Sequence, residues 1–356
     1  MKSVALRFHA KKDLRLDPVE IPEPGPDQVL VKVHACGICT TDRDVYLEGS
    51  LTDPRFVPVT IGHESALEVL KVGIDVPGDK EFTPIAEGDM VTAESIEGCR
   101  RCFFCNRGLT HICANARFPG VTSDGFDCRY QLAPWHILHK SLPGLSDEQL
   151  SLTEPAAGAL HAVKRGGVKL GDTVVIFGCG PIGLLQMQIC HAAGAETIVV
   201  DPVKNKLQIA KRLGADHALD PAEVDLEREV RDLTEGLGAD VALEAAGLTR
   251  TYQDAIKVVR KQGKVVAMGL VTAPAVPLDL GSAKGVTINE VSVVGTVGHG
   301  LWPDAWADFR VVMKLIKSGR IEVLPLITHR LPLTEWREAF ELPAEERIKV
   351  IFNRFE

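Results

Sequence analysis

Residues 173–183, TVVIFGCGPIG, constrain the fold more than any other stretch of this chain. An apolar, β-branched run ends at Gly178, and Gly178, Gly180 and Gly183 then complete G-x-G-x-x-G as a helix opens on Pro181. In such a turn the first glycine permits the tight bend and the second lets a pyrophosphate approach the backbone. The third allows close helix–strand packing. The first helical turn, with Pro181 and Ile182, offers free N–H groups and partial positive charge to phosphates. Asp201 closes the next strand, TIVVD, about 20 residues on, where a carboxylate accepts hydrogen bonds from ribose hydroxyls and repels a 2′-phosphate. NAD is therefore expected over NADP. Lys204 and Lys206 are the residues that favour NADP, and they read more simply as solvated helix side chains.

The strand–helix rhythm continues through KNKLQIAKRLGA, DVALEAAG (240–247) and GKVVAMG (263–269). Alternation of this kind builds a parallel sheet with helices on both faces, so 156–295 is read as a doubly wound Rossmann domain. Before residue 150 the pattern differs. QVLVKVHA (28–35), SALEVLKVG (65–73) and DMVTAE (89–94) are short β-rich runs among Pro and Gly, with no long helix between them. A barrel-like β domain over 1–155 is expected. The remainder, 296–356, carries an amphipathic helix (303–319), a second helix and a closing strand, IKVIFN.

Four of the nine cysteines, Cys99, Cys102, Cys105 and Cys113, follow C-x2-C-x2-C-x7-C within a lobe of about 95–115. Four thiolates in a tight loop suit a closed structural Zn²⁺. A closed site has no open position for a substrate, so the chemistry is expected elsewhere. Three other fragments supply it: CGICTTD (36–42), GHE (62–64) and TEPAAGALHAV (153–163). Cys39, His63 and one carboxylate from Glu64 or Glu154 make the three-ligand open site of a catalytic zinc. Cys39, neutral His63 and one glutamate neutralise the ion, whereas both glutamates together leave it negative. One glutamate is thus expected on the metal and the other on its water or beside it. Two zinc ions per chain follow.

Composition narrows the class. A net charge of -8 argues against a nucleic-acid surface, and no apolar run is long enough to span a bilayer. The N-terminal MKSVALRFHAKKDLRL reads as a strand rather than a signal peptide, so a cytoplasmic protein with reduced thiols is expected.

With these fragments in order, the whole chain resembles the zinc-containing medium-chain alcohol dehydrogenases, and most closely their polyol (sorbitol) and threonine dehydrogenase branch. EPAAGALHAV carries Glu154 where ethanol-type members have cysteine, and LEAAG (243–247) and PLITHRLPLTEWREAFE (325–341) extend the likeness. The resemblance implies a chaperonin-10-like catalytic β domain, a Rossmann domain, a C-terminal segment returning to the catalytic domain, and a cleft between the domains. It implies hydride transfer between a polar secondary alcohol and NAD, giving the ketone, in a homodimer or homotetramer. Thr41 matches the proton-relaying hydroxyl and Asp42 a supporting acid; Gly269 and Val297 match contacts to the nicotinamide end, and Ala246 lies in the neighbouring cofactor loop.

Three departures stand out. Asp44 replaces the relay histidine of polyol-type relatives, Cys128 and Arg129 replace a small residue and Glu, and His299 and Trp302 follow the last strand on a loop that could line the substrate pocket. Arg43, Asp44 and Glu48 near Cys39 hint at a polar ligand. Competing readings are a primary-alcohol dehydrogenase or aldehyde reductase, a zinc-free quinone or enoyl reductase, and a non-catalytic nucleotide-binding relative. The last two leave the open metal site unexplained.

Overall fold

The closing strand Lys349–Arg354 pairs antiparallel with Gln28–Gly37, setting Ile351 opposite Gly37 and Phe352 opposite Cys36. The end of the chain therefore completes the sheet that its beginning starts. The computed structural model describes residues 1–49, 51–77, 84–271, 276–299 and 306–355, so Trp302 lies outside the described residues.

One compact unit comprises Met1–Glu154, Gly298–Ser318 and Val323–Glu356. Its main sheet runs Ile327–Pro332, Lys349–Arg354, Gln28–Gly37, Glu64–Val72, Met90–Ala93, Leu138–Lys140, and Tyr130–Pro134 also pairs with Gln28–Gly37. The N-terminal run folds as a hairpin, Lys2–Ala10 with Asp13–Glu20, and adds Val59–Thr60 as a third strand. Alternate residues such as Val29, Val31 and Val33 point into a core shared with Leu67, Val69, Phe126 and Phe352.

The strand-and-turn reading of this half did not include the helix Thr40–Glu48. Its residues show no strong apolar stripe, and its ends are set by local bonds instead. The Asp42 carboxylate accepts the Cys39 N–H at 2.8 Å, and Gly49, at φ 65°, closes the last turn on the Val45 carbonyl. The same helix corrects the expectation for Arg43. That side chain is buried and donates to the carbonyls of Ala339 and Phe340, so it straps the C-terminal segment rather than meeting a ligand. Glu48 is exposed and pairs with Lys11 at 3.0 Å.

The second unit, Pro155–Val297 with Gly319–Glu322, holds a parallel sheet in the order His217–Leu219, Glu196–Val200, Thr173–Phe177, Ala239–Glu244, Val259–Ala267, Ser292–Gly295. Numbered along the chain this is 3-2-1-4-5-6, the doubly wound order, with its switch point between Thr173–Phe177 and Ala239–Glu244. Val175, Ile198, Ala242 and Val265 form its core beneath the helices. No helix among the described residues is long and apolar enough to cross a membrane.

Candidate metal and cofactor sites

Cys39 precedes the helix Thr40–Glu48, and His63 and Glu64 lie where the chain enters the strand Glu64–Val72. One donor atom from each of the three lies within 4.8 Å of the others. Asp42, fully buried, ties the two segments together. It accepts from the backbone of Cys39 at 2.8 Å and of Gly62 at 3.3 Å, and its Oδ1 sits 3.5 Å from His63 Nδ1. Gly37 leaves the space for Glu64: a Cβ there would come within 2.2 Å of the Glu64 Oε2.

Glu154 stands apart from this trio, in the first turn of the helix Thr153–Gly166, and accepts a hydrogen bond from the Ser95 hydroxyl at 2.5 Å. Burial, above all, raises its carboxyl pKa, against the pull of His63.

Sequence reasoning missed Lys349. Its ammonium donates to both oxygens of Glu64 at 2.6 Å and to the Ile38 carbonyl at 3.1 Å, with side-chain exposures of 3% for the lysine and 2% for the glutamate. Burial works against its charge, but Glu64 first, and then the Cys39 thiolate, hold its pKa above the ordinary value. The sequence signal was a single lysine inside the apolar run IKVIF. Lys349 also revises the charge count, because it offsets the one glutamate charge that the ligands alone left in excess.

The donor set fits a divalent cation. Three acidic side chains, Cys39, Glu64 and Glu154, gather in this part of the fold, and the Lys349 ammonium is bonded to Glu64 alone among them. Burial disfavours a positive His63, yet the charges of Asp42 and Cys39 outweigh it and raise its pKa well above normal, so the pocket favours a cation at that point. Thiolate, imidazole and carboxylate are the donors of zinc.

The second cluster gathers the sulfurs of Cys99, Cys102, Cys105 and Cys113 within 4.8 Å of one another. Backbone N–H groups aim at them, Cys99 at Cys113 Sγ (3.2 Å), Asn115 at Cys113 Sγ (3.3 Å) and Cys105 at Cys102 Sγ (3.5 Å). The Cys105 N–H is the main cause that lowers the Cys102 thiol to about 6, while burial first, and then Cys113, push Cys105 up to about 12. Without a cation the cluster cannot hold four thiolates, and a closed tetrahedral zinc relieves that repulsion.

In the second unit the predicted cofactor residues lie at the C-terminal ends of the strands. Gly178 turns with φ 94° after Thr173–Phe177, and a Cβ on Gly183 would come within 1.8 Å of the Gly178 carbonyl oxygen. Pro181 and Ile182 open the helix Pro181–Ala192. Asp201 is buried, and its carboxylate accepts from Cys179 N at 2.7 Å and Val203 N at 2.8 Å, so it braces the glycine turn as well as facing it. Lys204 is held by Glu223 at 2.6 Å, and Lys206 lies one turn into the helix. Ala246 and Gly269 are bracketed by Glu244, another residue that the sequence reading passed over. Its Oε1 accepts from Ala246 N, Gly247 N and Thr251 Oγ1 at 2.7–3.0 Å, while its Oε2 bounds the space beside Gly269. Val297 follows the edge strand Ser292–Gly295 and is exposed.

The remaining candidates divide. Thr41 and Asp44 are half-buried and one helical turn apart. Burial, then Glu48, raises the Asp44 carboxyl above the usual range. Cys128 is fully buried with its thiol toward the Gly125 carbonyl, and Arg129 is exposed. His299 is buried edge-on to Phe309, which stacks on His139 with ring centroids 4.2 Å apart.

Comparison with known proteins places the chain in a family. Residues 25–144 match the alcohol dehydrogenase GroES-like domain, and residues 181–318 match the zinc-binding dehydrogenase domain. The chain is 35% identical over 338 residues to L-threonine 3-dehydrogenase of Pyrococcus abyssi, covering 94% of this chain and 93% of that one. It is 32% identical over 358 residues to sorbitol dehydrogenase of Halalkalibacterium halodurans, covering 99% of each. Among solved structures, a zinc-binding dehydrogenase of Sinorhizobium meliloti 1021 bound to NADP superposes with a TM-score of 0.89 at 30% identity over 99% of both chains. The chain belongs to the zinc-containing medium-chain alcohol dehydrogenases, oxidoreductases that work with zinc and a nicotinamide cofactor.

Proposed function

We propose that this protein interconverts a polar secondary alcohol, of the polyol, sugar or hydroxy amino acid type, and its ketone, using NAD. The carrying observation is the open donor set of Cys39, His63 and Glu64 with Glu154 close by but outside it. In this reading those three residues hold the catalytic zinc, and Cys99, Cys102, Cys105 and Cys113 hold the structural one. When bound, zinc would supply the Lewis acidity that makes an alcohol hydroxyl acidic, and a nicotinamide would supply the hydride acceptor.

The other roles belong to the chain. Asp42 fixes the approach of Cys39 and His63, and Lys349 neutralises part of the charge on Glu64. Glu154, oriented by the Ser95 hydroxyl and made more basic by burial, holds a proton at Oε2 or orients a water there. Thr41 Oγ1 carries the alcohol proton outward, and Asp44, one turn along the same helix face, receives it. Asp201 selects NAD: the carboxylate keeps free acceptor positions for the ribose hydroxyls and meets a 2′-phosphate with like charge.

We further assign a homodimer or homotetramer in the cytoplasm. Among the described residues the strand Ser292–Gly295 is paired on one side only, and Val293 and Val297 are exposed, an edge suited to a second copy. The experiment is NAD reduction by the zinc-loaded protein across polyols, aldoses, hydroxy amino acids and simple primary alcohols. Preference for a primary alcohol would overturn the substrate class, and no turnover with any member would favour a non-catalytic role.

A further inference from the structure

A concave site lies within the nucleotide-fold unit, at the end of its strands opposite the glycine turn. It sits where the strands Ala239–Glu244 and Val259–Ala267 begin, whereas the cofactor residues follow their ends. The cavity measures about 290 Å³ and is lined by Arg231, Lys257, Arg260, Lys261 and Lys284, with Leu237 at its wall. No carboxylate is among its lining residues. In a chain of net charge -8, five cations converging on one hollow call for a cause.

Their counterions stand outside the cavity and are too few. Asp240 holds Arg260 at 2.7 Å, Asp254 holds Lys257 at 3.1 Å, and Glu227 is shared by Lys284 (2.8 Å) and Arg231 (3.5 Å). Asp254 is itself shared with Arg250 at 3.4 Å. Three carboxylates thus pair closely with four of the five lining cations, Asp279 attracts Lys257 from farther off, and Lys261 has no carboxylate partner among the described residues. Both guanidiniums are also held by backbone: Arg231 donates to the Gly236 carbonyl at 3.2 Å and Arg260 to the Lys261 carbonyl at 2.8 Å. Cations fixed before a ligand arrives lose little side-chain freedom when it binds.

We propose that this cavity binds a small polyanion, a molecule carrying two or more linked phosphates. Five separate cationic donors around one hollow can each meet an anionic oxygen, which favours a ligand with several of them, and the size admits a compact one. A nucleic acid is disfavoured because the basic surface is one hollow rather than a stripe, on an acidic chain. The proposal does not depend on the substrate of the dehydrogenase reaction.

The test is calorimetric titration of the full, zinc-loaded chain, saturated with NADH, with inorganic pyrophosphate and tripolyphosphate at constant ionic strength. NADH occupies the glycine turn, so binding that persists belongs elsewhere. One site per chain is expected. Lys261→Glu, an exposed change, should weaken it by about tenfold or more through charge reversal, and Lys257→Gln should weaken it less. Lys211→Glu, on another exposed helix end, should leave it unchanged. No binding in the presence of NADH would overturn the proposal, as would wild-type affinity in both Lys261→Glu and Lys257→Gln.

Discussion

The ammonium of Lys349 lies 2.6 Å from each carboxylate oxygen of Glu64, across 285 residues of chain, and water reaches neither side chain appreciably. A buried pair of this kind contributes little beyond a hydrophobic replacement, but removing one partner strands a buried charge. Lys349→Met should therefore cost about 3–5 kcal/mol in zinc-free protein. The loss should be smaller in zinc-loaded protein, where the metal supplies the missing positive charge. Urea unfolding with and without zinc measures both. Equal losses in the two states would show that Glu64 does not face the metal.

The two donor clusters predict about two zinc ions per chain. Cys39→Ser should remove one equivalent and abolish turnover while NADH binding and unfolding remain near wild type. Cys102→Ser should remove the other and lower the melting temperature, because that metal closes a lobe in which Phe103 and Ile112 are exposed rather than packed. Metal analysis on each variant decides the assignment. A single equivalent, lost with Cys102 and kept with Cys39, argues against the open site.

Asp201 is the cofactor discriminator in this reading. Lost hydrogen bonds and like charge should disfavour NADP in the wild type on the order of a hundredfold in kcat/KM. Asp201→Ala should shift the ratio toward NADP. Because the carboxylate also holds the N–H groups of Cys179 and Val203, the variant should lose thermal stability as well. A ratio that does not move assigns Asp201 to bracing alone.

Thr41→Val should lower kcat by about a hundredfold with KM little changed, since it removes a proton path and no binding group. The Asp44 carboxyl is raised by burial and by Glu48, so a relay through it gives kcat an acidic limb above the ordinary carboxylate range. Asp44→Asn should abolish that limb. If the limb survives in Asp44→Asn, water carries the proton instead.

Asp127 offers a pH test of stability. It is fully buried behind Gly62, and among the described residues neither carboxylate oxygen meets a hydrogen-bond partner at ordinary distance, although the Cys36 thiol, a weak donor, lies beside it. Burial, and then Asp42, raise its pKa well above normal. The folded state thus binds the proton more tightly than the unfolded state. The associated stability is full below the unfolded value of about 4 and is lost as pH rises through the folded one. Asp127→Asn, which stays neutral, should gain stability relative to wild type as pH rises, by about 1.4 kcal/mol per pH unit within that window. Parallel stability–pH curves for the two proteins would contradict the assignment.

Features written in short range were legible before any coordinates. The turn Gly178–Gly183 and the spacing of Cys99, Cys102, Cys105 and Cys113 specify their own geometry, because a few bonds limit where each atom can go. The alternation of strands and helices likewise dictated a parallel sheet. Cys39, His63, Glu64 and Glu154 were named as candidate donors from separate fragments by the chemistry that they share, with the choice between the two glutamates left open.

Which groups surround those donors was decided by tertiary structure. Lys349 meets Glu64 because the last strand pairs with Gln28–Gly37, and a one-residue change of register would turn that lysine to the other face. Ser95 meets Glu154, and Glu244 holds the turn beside Gly269, through contacts that no local pattern encodes. Arg43 looked like a ligand group by its place in the sequence and became a strap once the C-terminal segment packed over it. Sequence by itself determined the inventory of candidate metal and cofactor donors, since residue type sets what a group can bind. Charge balance and proton affinity at the site were decided only by folding, since both depend on burial and on neighbours hundreds of residues away.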